Sequence, residues 1–288
     1  MRIGFIGLGV MGAPMAQNLL DAGHELSIHR VTDRTRHLVD AGAVPAESAA
    51  AAASGAEAVV LMLPDTPDVE SVLLGEDGVL SGLADGALVI DMSSISPVRT
   101  EQLAAAVREA GGHSVDAPVS GGEVGAREGT LTIFVGGADA DVARAMPLLE
   151  VLGARITHMG SAGSGQATKV VNQVIVGLTI EAVAEGLALA EASGLDGERV
   201  RAALDGGFAS SRILELHGRR MTERAFDPGF RLRLHRKDLR LAQDSAAHRG
   251  VALPGTEAVA AQMDAALARH WEELDHSALF RLLVEEPR

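Results

Sequence analysis

The sequence predicts an α/β first half, a doubly wound parallel sheet of Rossmann type, joined by a long helix to an all-α second half. Three observations predict it. Short apolar runs recur through the first half between alanine-rich helical stretches, the pattern of βαβ units whose sheet is buried on both faces. A G-x-G-x-x-G run directly follows the first of those strands. Beyond about residue 161, strand signals stop and apolar residues recur only at helical spacing. A chain of 288 residues is long enough for two domains, here placed at 1–161 and 162–288.

The elements follow in order. Ile3 to Ile6 is the first strand, and the helix after it runs through Leu20 to a stop at Gly23. Glu25 to His29 is the second strand. Ala58 to Leu63 and Ala87 to Asp91 are apolar runs closed by the turn signals Pro64-Asp65 and Ser93-Ser94. His113 to Asp116 and Leu131 to Val135 add two more, the last ending in Gly136-Gly137. Gly160 to Gly165 is small and polar, the composition of a hinge. A long helix follows from Ala167 to Ala192, stopped by Gly194. Val200 to Leu204, Arg212 to Arg224, Lys237 to His248, Pro254 to Glu273 and His276 to Val284 read as further helices. The most apolar stretch, Val174 to Ala190, contains Glu181 and Glu185. Those carboxylates argue for a buried helix rather than a bilayer span.

Composition excludes several functions. A net charge of −14 opposes broad binding to nucleic acid or to an anionic membrane. The chain has no cysteine, hence no disulfide, no thiolate nucleophile and no Cys-based metal site. Its ten histidines show no ligand cluster by spacing, so no metal is expected. A strand-like run starting at Arg2 leaves no room for a leader, and the expected compartment is the cytoplasm.

The fingerprint Gly7-Leu8-Gly9-Val10-Met11-Gly12 points to a dinucleotide. Its glycines serve a tight turn, a close approach to pyrophosphate and close helix packing. The free N–H groups of the helix start suit phosphate. The tip of the second strand, His29-Arg30-Val31-Thr32, lacks the acid that would hold an NAD ribose. Arg30, helped by Thr32 or Arg34, suits a 2′-phosphate, so NADP(H) is favoured over NAD(H). Arg30 stacking on the adenine would suit either cofactor.

Only two of the 25 Lys+Arg residues are lysine, Lys169 and Lys237. Arginine cannot give up a proton near neutral pH, whereas a partly buried lysine can serve as a general acid. Lys169 and Asn172 share a helix face among valines, and together can donate to one oxygen. A lysine snorkelling at a helix start is the plainer alternative. Lys237-Asp238 opens a helix after a basic run, where a solvated charged face is the default. Asp116-Ala117-Pro118-Val119-Ser120-Gly121-Gly122 ends in a segment whose N–H groups and hydroxyl can hold a carboxylate. Taken alone, the segment is explained slightly better as an ordinary glycine turn. Ser93-Ser94 lies past a strand's C-terminal end, where open sheets bind ligands, and would also serve as a helix cap.

In combination these segments resemble the β-hydroxyacid dehydrogenase family nearly end to end. The motifs are the glycine fingerprint, Leu63-Pro64, Asp116 to Gly122, Gly165-x-x-x-Lys169-x-x-Asn172 and Lys237-Asp238-Leu239. The resemblance implies a nicotinamide-binding Rossmann domain, a small carboxylated aldehyde or hydroxy-acid substrate, and homodimers or homotetramers pairing through the helical domain. It implies that Lys169 donates the proton in reduction. Ser120, Gly121, Gly122 and Asn172 would hold the substrate, with Lys237 beside cofactor and substrate. Met62-Leu63-Pro64 and Ser93 would lie on the nicotinamide side. Asn172 to Val176, Pro228 to Leu239 and Asp275 to Leu279 are most similar to the tartronate semialdehyde reductases, with 3-hydroxyisobutyrate dehydrogenases next. Imine reductases replace the lysine. A cofactor-binding protein without catalysis would have no reason to keep both Lys169/Asn172 and the Ser-Gly-Gly turn.

Overall fold

The structure, a computed structural model, describes residues 1–284. Two compact units are present, Met1–Lys169 and Val170 onward, and the division falls inside one long helix, Ser164–Ala192.

The first unit is built on a nine-stranded sheet: β1 (Arg2–Ile6), β2 (Glu25–His29), β3 (Val44–Ala46), β4 (Ala58–Leu61), β5 (Leu88–Asp91), β6 (His113–Asp116), β7 (Val119–Ser120), β8 (Leu131–Gly137) and β9 (Gly153–Gly160). The order is β3-β2-β1-β4-β5-β6-β8-β7, with β9 also paired to β8. The pairings among β1 to β6 are parallel, and β8 runs antiparallel to β6 and β7. The run 3-2-1-4-5-6 is the dinucleotide-binding order. Every residue of β4 and β5 is buried, as strands covered by helices on both faces must be. Phe5, Val60 and Ile90 enter one core, while Ile6, Val59, Leu61 and Val89 enter the other. That alternation is the period of two inherent to a strand, and each such side chain contributes about 1.5–3 kcal/mol when fully buried.

Three strands leave little trace in the sequence pattern. β3 is an edge strand holding Pro45, and β7 is two residues long. β9 is mostly exposed, so it carries no apolar alternation.

Among the described residues the second unit is helical apart from an isolated Arg231–Asp275 bridge. Its helices are Gly197–Leu204, Arg212–Glu223, Leu232–Arg249, Pro254–Leu267 and Phe280–Val284, with a 3₁₀ turn at His276–Leu279. Ile180, Leu187, Met221, Leu239, Met263 and Phe280 form its core. The helix expected from Lys237 starts at Leu232 instead. The basic run can be helical because Arg231 and Arg233 pair with Glu273 and Arg236 pairs with Asp264.

The long helix departs from the expectation of a buried element. Its most apolar 18-residue window has a mean hydropathy of 1.6, enough by length and composition to cross a membrane, yet is only 39% buried. Val171, Ile175 and Leu189 are exposed. Apolar periodicity states how much surface needs cover, not what covers it. Burial, with Glu185 adding to it, raises the Glu181 carboxyl above its ordinary range.

Candidate active site

The fingerprint loop shows a division of labour among its glycines. Gly7 has φ +104°, and a Cβ there would meet the Met62 carbonyl at 2.2 Å. A Cβ at Gly12 would lie 1.8 Å from the Gly7 carbonyl, so this glycine lets the helix Gly12–Asp21 close on the loop. Gly9 has nothing within 4 Å of the same position. It borders open space, the cradle a pyrophosphate would fill. Leu8 and Met11 pack on the core, while Val10 is exposed. No side chain caps the helix; the Ala13 amide donates to the Gly9 carbonyl at 3.0 Å and Pro14 has none, so a phosphate would be met by the loop and the very start of the helix. The residues present therefore fit a dinucleotide. Gly9→Ala is expected to change stability by less than about 0.5 kcal/mol, yet to weaken NADPH binding about tenfold or more. Titration of protein fluorescence with NADPH checks this, and an unchanged dissociation constant counts against the assignment.

At the tip of β2, His29 Nδ1 donates to the Ala46 carbonyl at 3.1 Å. Thr32 is engaged in a capping box with Thr35 at the 3₁₀ turn Asp33–Thr35. Arg30 and Arg34 remain exposed, Arg30 on left-handed backbone at φ 65°. Thr32 is exposed as well, but it is tied to Thr35, whereas the two arginines extend outward.

The ends of β4 and β5 are tied together by side chains. Ser93 is fully buried, and its Oγ accepts from the Leu63 amide at 2.9 Å. It ties the Met62-Leu63-Pro64 turn to the end of β5. Gln166, on the first turn of the long helix, holds the same segment: its Nε2 donates to the Ser93 carbonyl at 2.7 Å, and its Oε1 accepts from the Ile95 amide at 3.1 Å. No sequence motif singled out Gln166. Its neighbour Gly165 was the only hint.

Asp116 is buried at the end of β6 and anchors that first turn. Its carboxylate accepts from the amides of Gly163 at 2.8 Å and Gln166 at 2.9 Å. Burial raises its carboxyl above the usual range, with the amide hydrogen bonds opposing. Gly136 and Gly165 make the approach possible, since a Cβ on either would come within 3 Å of this carboxylate. Ser120 lies in the two-residue strand β7, opposite Thr132 of β8. Gly121 and Gly122 follow with φ +137° and +63°, a turn open to glycine. The loop after β1, the turns after β4 and β5, and the segment after β6 all lie at C-terminal strand ends, where open α/β sheets bind ligands.

Lys169 follows one turn after Gln166 and is 8% exposed. In the helical unit, Asn172 Nδ2 donates to Gln173 Oε1 at 2.8 Å, and Gln173 Nε2 donates to Asp238 Oδ2 at 2.5 Å. Lys237 Nζ pairs with Asp238 Oδ1 at 2.9 Å. The structure thus joins Asn172 and Lys237 through two buried residues, Gln173 and Asp238, to which the sequence reading assigned no role. Because an ionised carboxylate only accepts, Asp238 fixes the orientation of the Gln173 amide, and Gln173 in turn fixes that of Asn172. Lys237 is not on a solvated face: its side chain is 13% exposed.

Residues 2–160 match the family described as the NAD binding domain of 6-phosphogluconate dehydrogenase. Residues 163–283 match that of the NAD-binding domain of NADP-dependent 3-hydroxyisobutyrate dehydrogenase. The chain belongs to the β-hydroxyacid dehydrogenase family. Within this family, 2-hydroxy-3-oxopropionate reductase of Escherichia coli is 50% identical over 98% of this chain and 97% of its own length. The 3-hydroxyisobutyrate dehydrogenase of Pseudomonas aeruginosa is 40% identical over 83% of each chain. The solved structure of Mycobacterium tuberculosis 3-hydroxyisobutyrate dehydrogenase with L-serine superposes with a TM-score of 0.89 at 33% identity, covering 98% of this chain and 99% of that one. This β-hydroxyacid dehydrogenase is accordingly an NAD(P)-dependent oxidoreductase acting on CH–OH groups.

One expectation about histidine is overturned. His217, His276 and Asp275 bring donor atoms within 4.8 Å of one another, and His235 joins His276. Positions so far apart in sequence give no spacing signal, and only tertiary packing gathers them.

Proposed function

We propose that this chain reduces 2-hydroxy-3-oxopropionate, the semialdehyde of tartronate, to D-glycerate with NADPH. The observation that carries the reading is the 50% identity, across nearly both full lengths, to a 2-hydroxy-3-oxopropionate reductase. The nicotinamide, when bound, supplies the hydride chemistry. Lys169 donates the proton to the substrate oxygen as it gains negative charge, a general-acid role suited to a mostly buried ammonium. Asn172, its amide oriented by Gln173, fixes that oxygen. Ser120, Gly121 and Gly122 hold the carboxylate, and Lys237 is a further residue for binding substrate and cofactor. The second reading, a 3-hydroxyisobutyrate dehydrogenase, is favoured by the 40% identical Pseudomonas aeruginosa relative.

Loss of reduced-nicotinamide absorbance, followed with tartronate semialdehyde and methylmalonate semialdehyde side by side, separates the two. Faster turnover of the second substrate sinks the first reading. The preference for NADPH rests on the outward Arg30 and Arg34 and on the lack of an acid from His29 to Thr32. Tighter binding of NADH in the same titrations overturns it. The exposed Val171, Ile175 and Leu189 of the long helix support pairing with a second copy through the helical unit. Light scattering that gives a monomer mass at micromolar concentration would dismiss that pairing.

A further inference from the structure

Three histidines form one buried row in the helical unit. His235 Nε2 donates to the Gln173 carbonyl at 3.2 Å. His235 Nδ1 and His276 Nδ1 are 2.8 Å apart, and His276 Nε2 and His217 Nε2 are 3.4 Å apart. At the far end His217 Nδ1 faces Asp275 Oδ1 at 3.3 Å. His235 and His276 are almost fully buried, and the Phe230 ring packs against both.

Counting hydrogens along this row gives a definite result. A carbonyl only accepts, so His235 Nε2 must carry a hydrogen. Each nitrogen–nitrogen contact needs one hydrogen between the rings. The Asp275 carboxylate is an acceptor too, already receiving the amides of Gly229, Phe230 and Ser277 and the Ser277 hydroxyl. Four contacts therefore need four hydrogens, and three neutral imidazoles supply three. The deficit falls on His217 Nδ1, which is buried with no conventional hydrogen-bond partner and points at an anion. An unsatisfied lone pair facing a buried carboxylate is costly.

We propose that the row His217–His276–His235 holds four protons on its three rings at neutral pH, forming a buried charged strut with Asp275. His235 is then a positioning residue. It lies two residues before Lys237 and three before Asp238 on one helix, and it grips the turn of the long helix that carries Gln173. The strut thereby sets the Lys237–Asp238–Gln173–Asn172 chain. The groups facing the row are Arg220, 3.9 Å from Asp275 and on the same helix as His217, with Asp275, the Phe230 ring and the Gln173 carbonyl. Burial first, and then the neighbouring His235, hold His276 well below the ordinary imidazole range. By the hydrogen count, the extra proton belongs at the Asp275 end, where the donor is missing. There burial acts against ionisation, yet the facing His217 ring and the Ser277 hydroxyl keep the Asp275 carboxyl well below its usual range. A metal ion would have to displace hydrogen bonds that Asp275 already accepts.

The test is nitrogen-15 NMR of histidine-labelled full-length protein at pH 7.5. One imidazolium, with both ring nitrogens protonated, is expected among the ten histidines, and it should vanish in Asp275→Asn, whose amide can donate to His217. Three neutral rings in the parent protein overturn the proposal whether or not the variant folds. Collapse of the row's N–H signals on adding equimolar zinc also overturns it, in favour of a metal. A kinetic arm, which rests on the proposed reaction where the NMR arm does not, separates positioning from bulk stability. His235→Gln keeps one donor and one acceptor and should stay within about threefold of the parent in kcat/KM. His235→Leu should lose about tenfold, mainly in KM for the carboxylated substrate and not in KM for the cofactor. Equal losses in both variants remove the positioning role.

Discussion

Lys169→Arg is expected to turn over at least about 100-fold more slowly than the parent protein while binding NADPH within about twofold. The substitution keeps the positive charge and removes the ability to release a proton near neutral pH. If Lys169 served only as a counter-charge for the substrate carboxylate, arginine would serve nearly as well. The site is also closed to a larger group, since Lys169 is 8% exposed, one turn beyond the buried Gln166. Lys169→Ala should fall by a similar factor, because loss of the acid and not loss of charge dominates. Steady-state kcat beside cofactor titration checks both. An arginine variant retaining a tenth of parent activity would falsify the general-acid role.

Asp116→Ala is expected to cost about 2–4 kcal/mol, a fall in Tm of roughly 6–12 °C for a unit of this size. The carboxylate caps the start of the long helix through the Gly163 and Gln166 amides. Removing it leaves those buried donors without their acceptor. Asp116→Asn should be intermediate, because its amide turns one N–H toward a donor already there. Activity should fall with stability, since the turn so anchored leads directly to Lys169. Calorimetry on the purified variants decides the point: a Tm within about 2 °C of the parent would show that other contacts fix the helix start.

Much of the first unit is legible because its central strands are buried on both faces and announce themselves as apolar runs, as β4 and β5 do. β9 is invisible for the opposite reason, its side chains being mostly in solvent. At the site, Lys169 and Asn172 stand out by residue type and spacing. Gln166 and Gln173 do not, because the partners that define their roles lie 50 to 73 residues away. The histidine row is the extreme case, since chemistry assembled from positions 217, 235 and 276 has no local signature at all.

The scarcity of lysine has a practical consequence. An amine-directed reagent meets three primary amines in this protein: the Met1 α-amino group and the ε-amino groups of Lys169 and Lys237. Met1 is 43% exposed, whereas both lysines are largely shielded. Acylation should therefore mark the N-terminus quickly and the two lysines slowly. The ratio of those rates in a peptide map becomes an internal gauge of how open each lysine's surroundings are, with Met1 as the built-in clock.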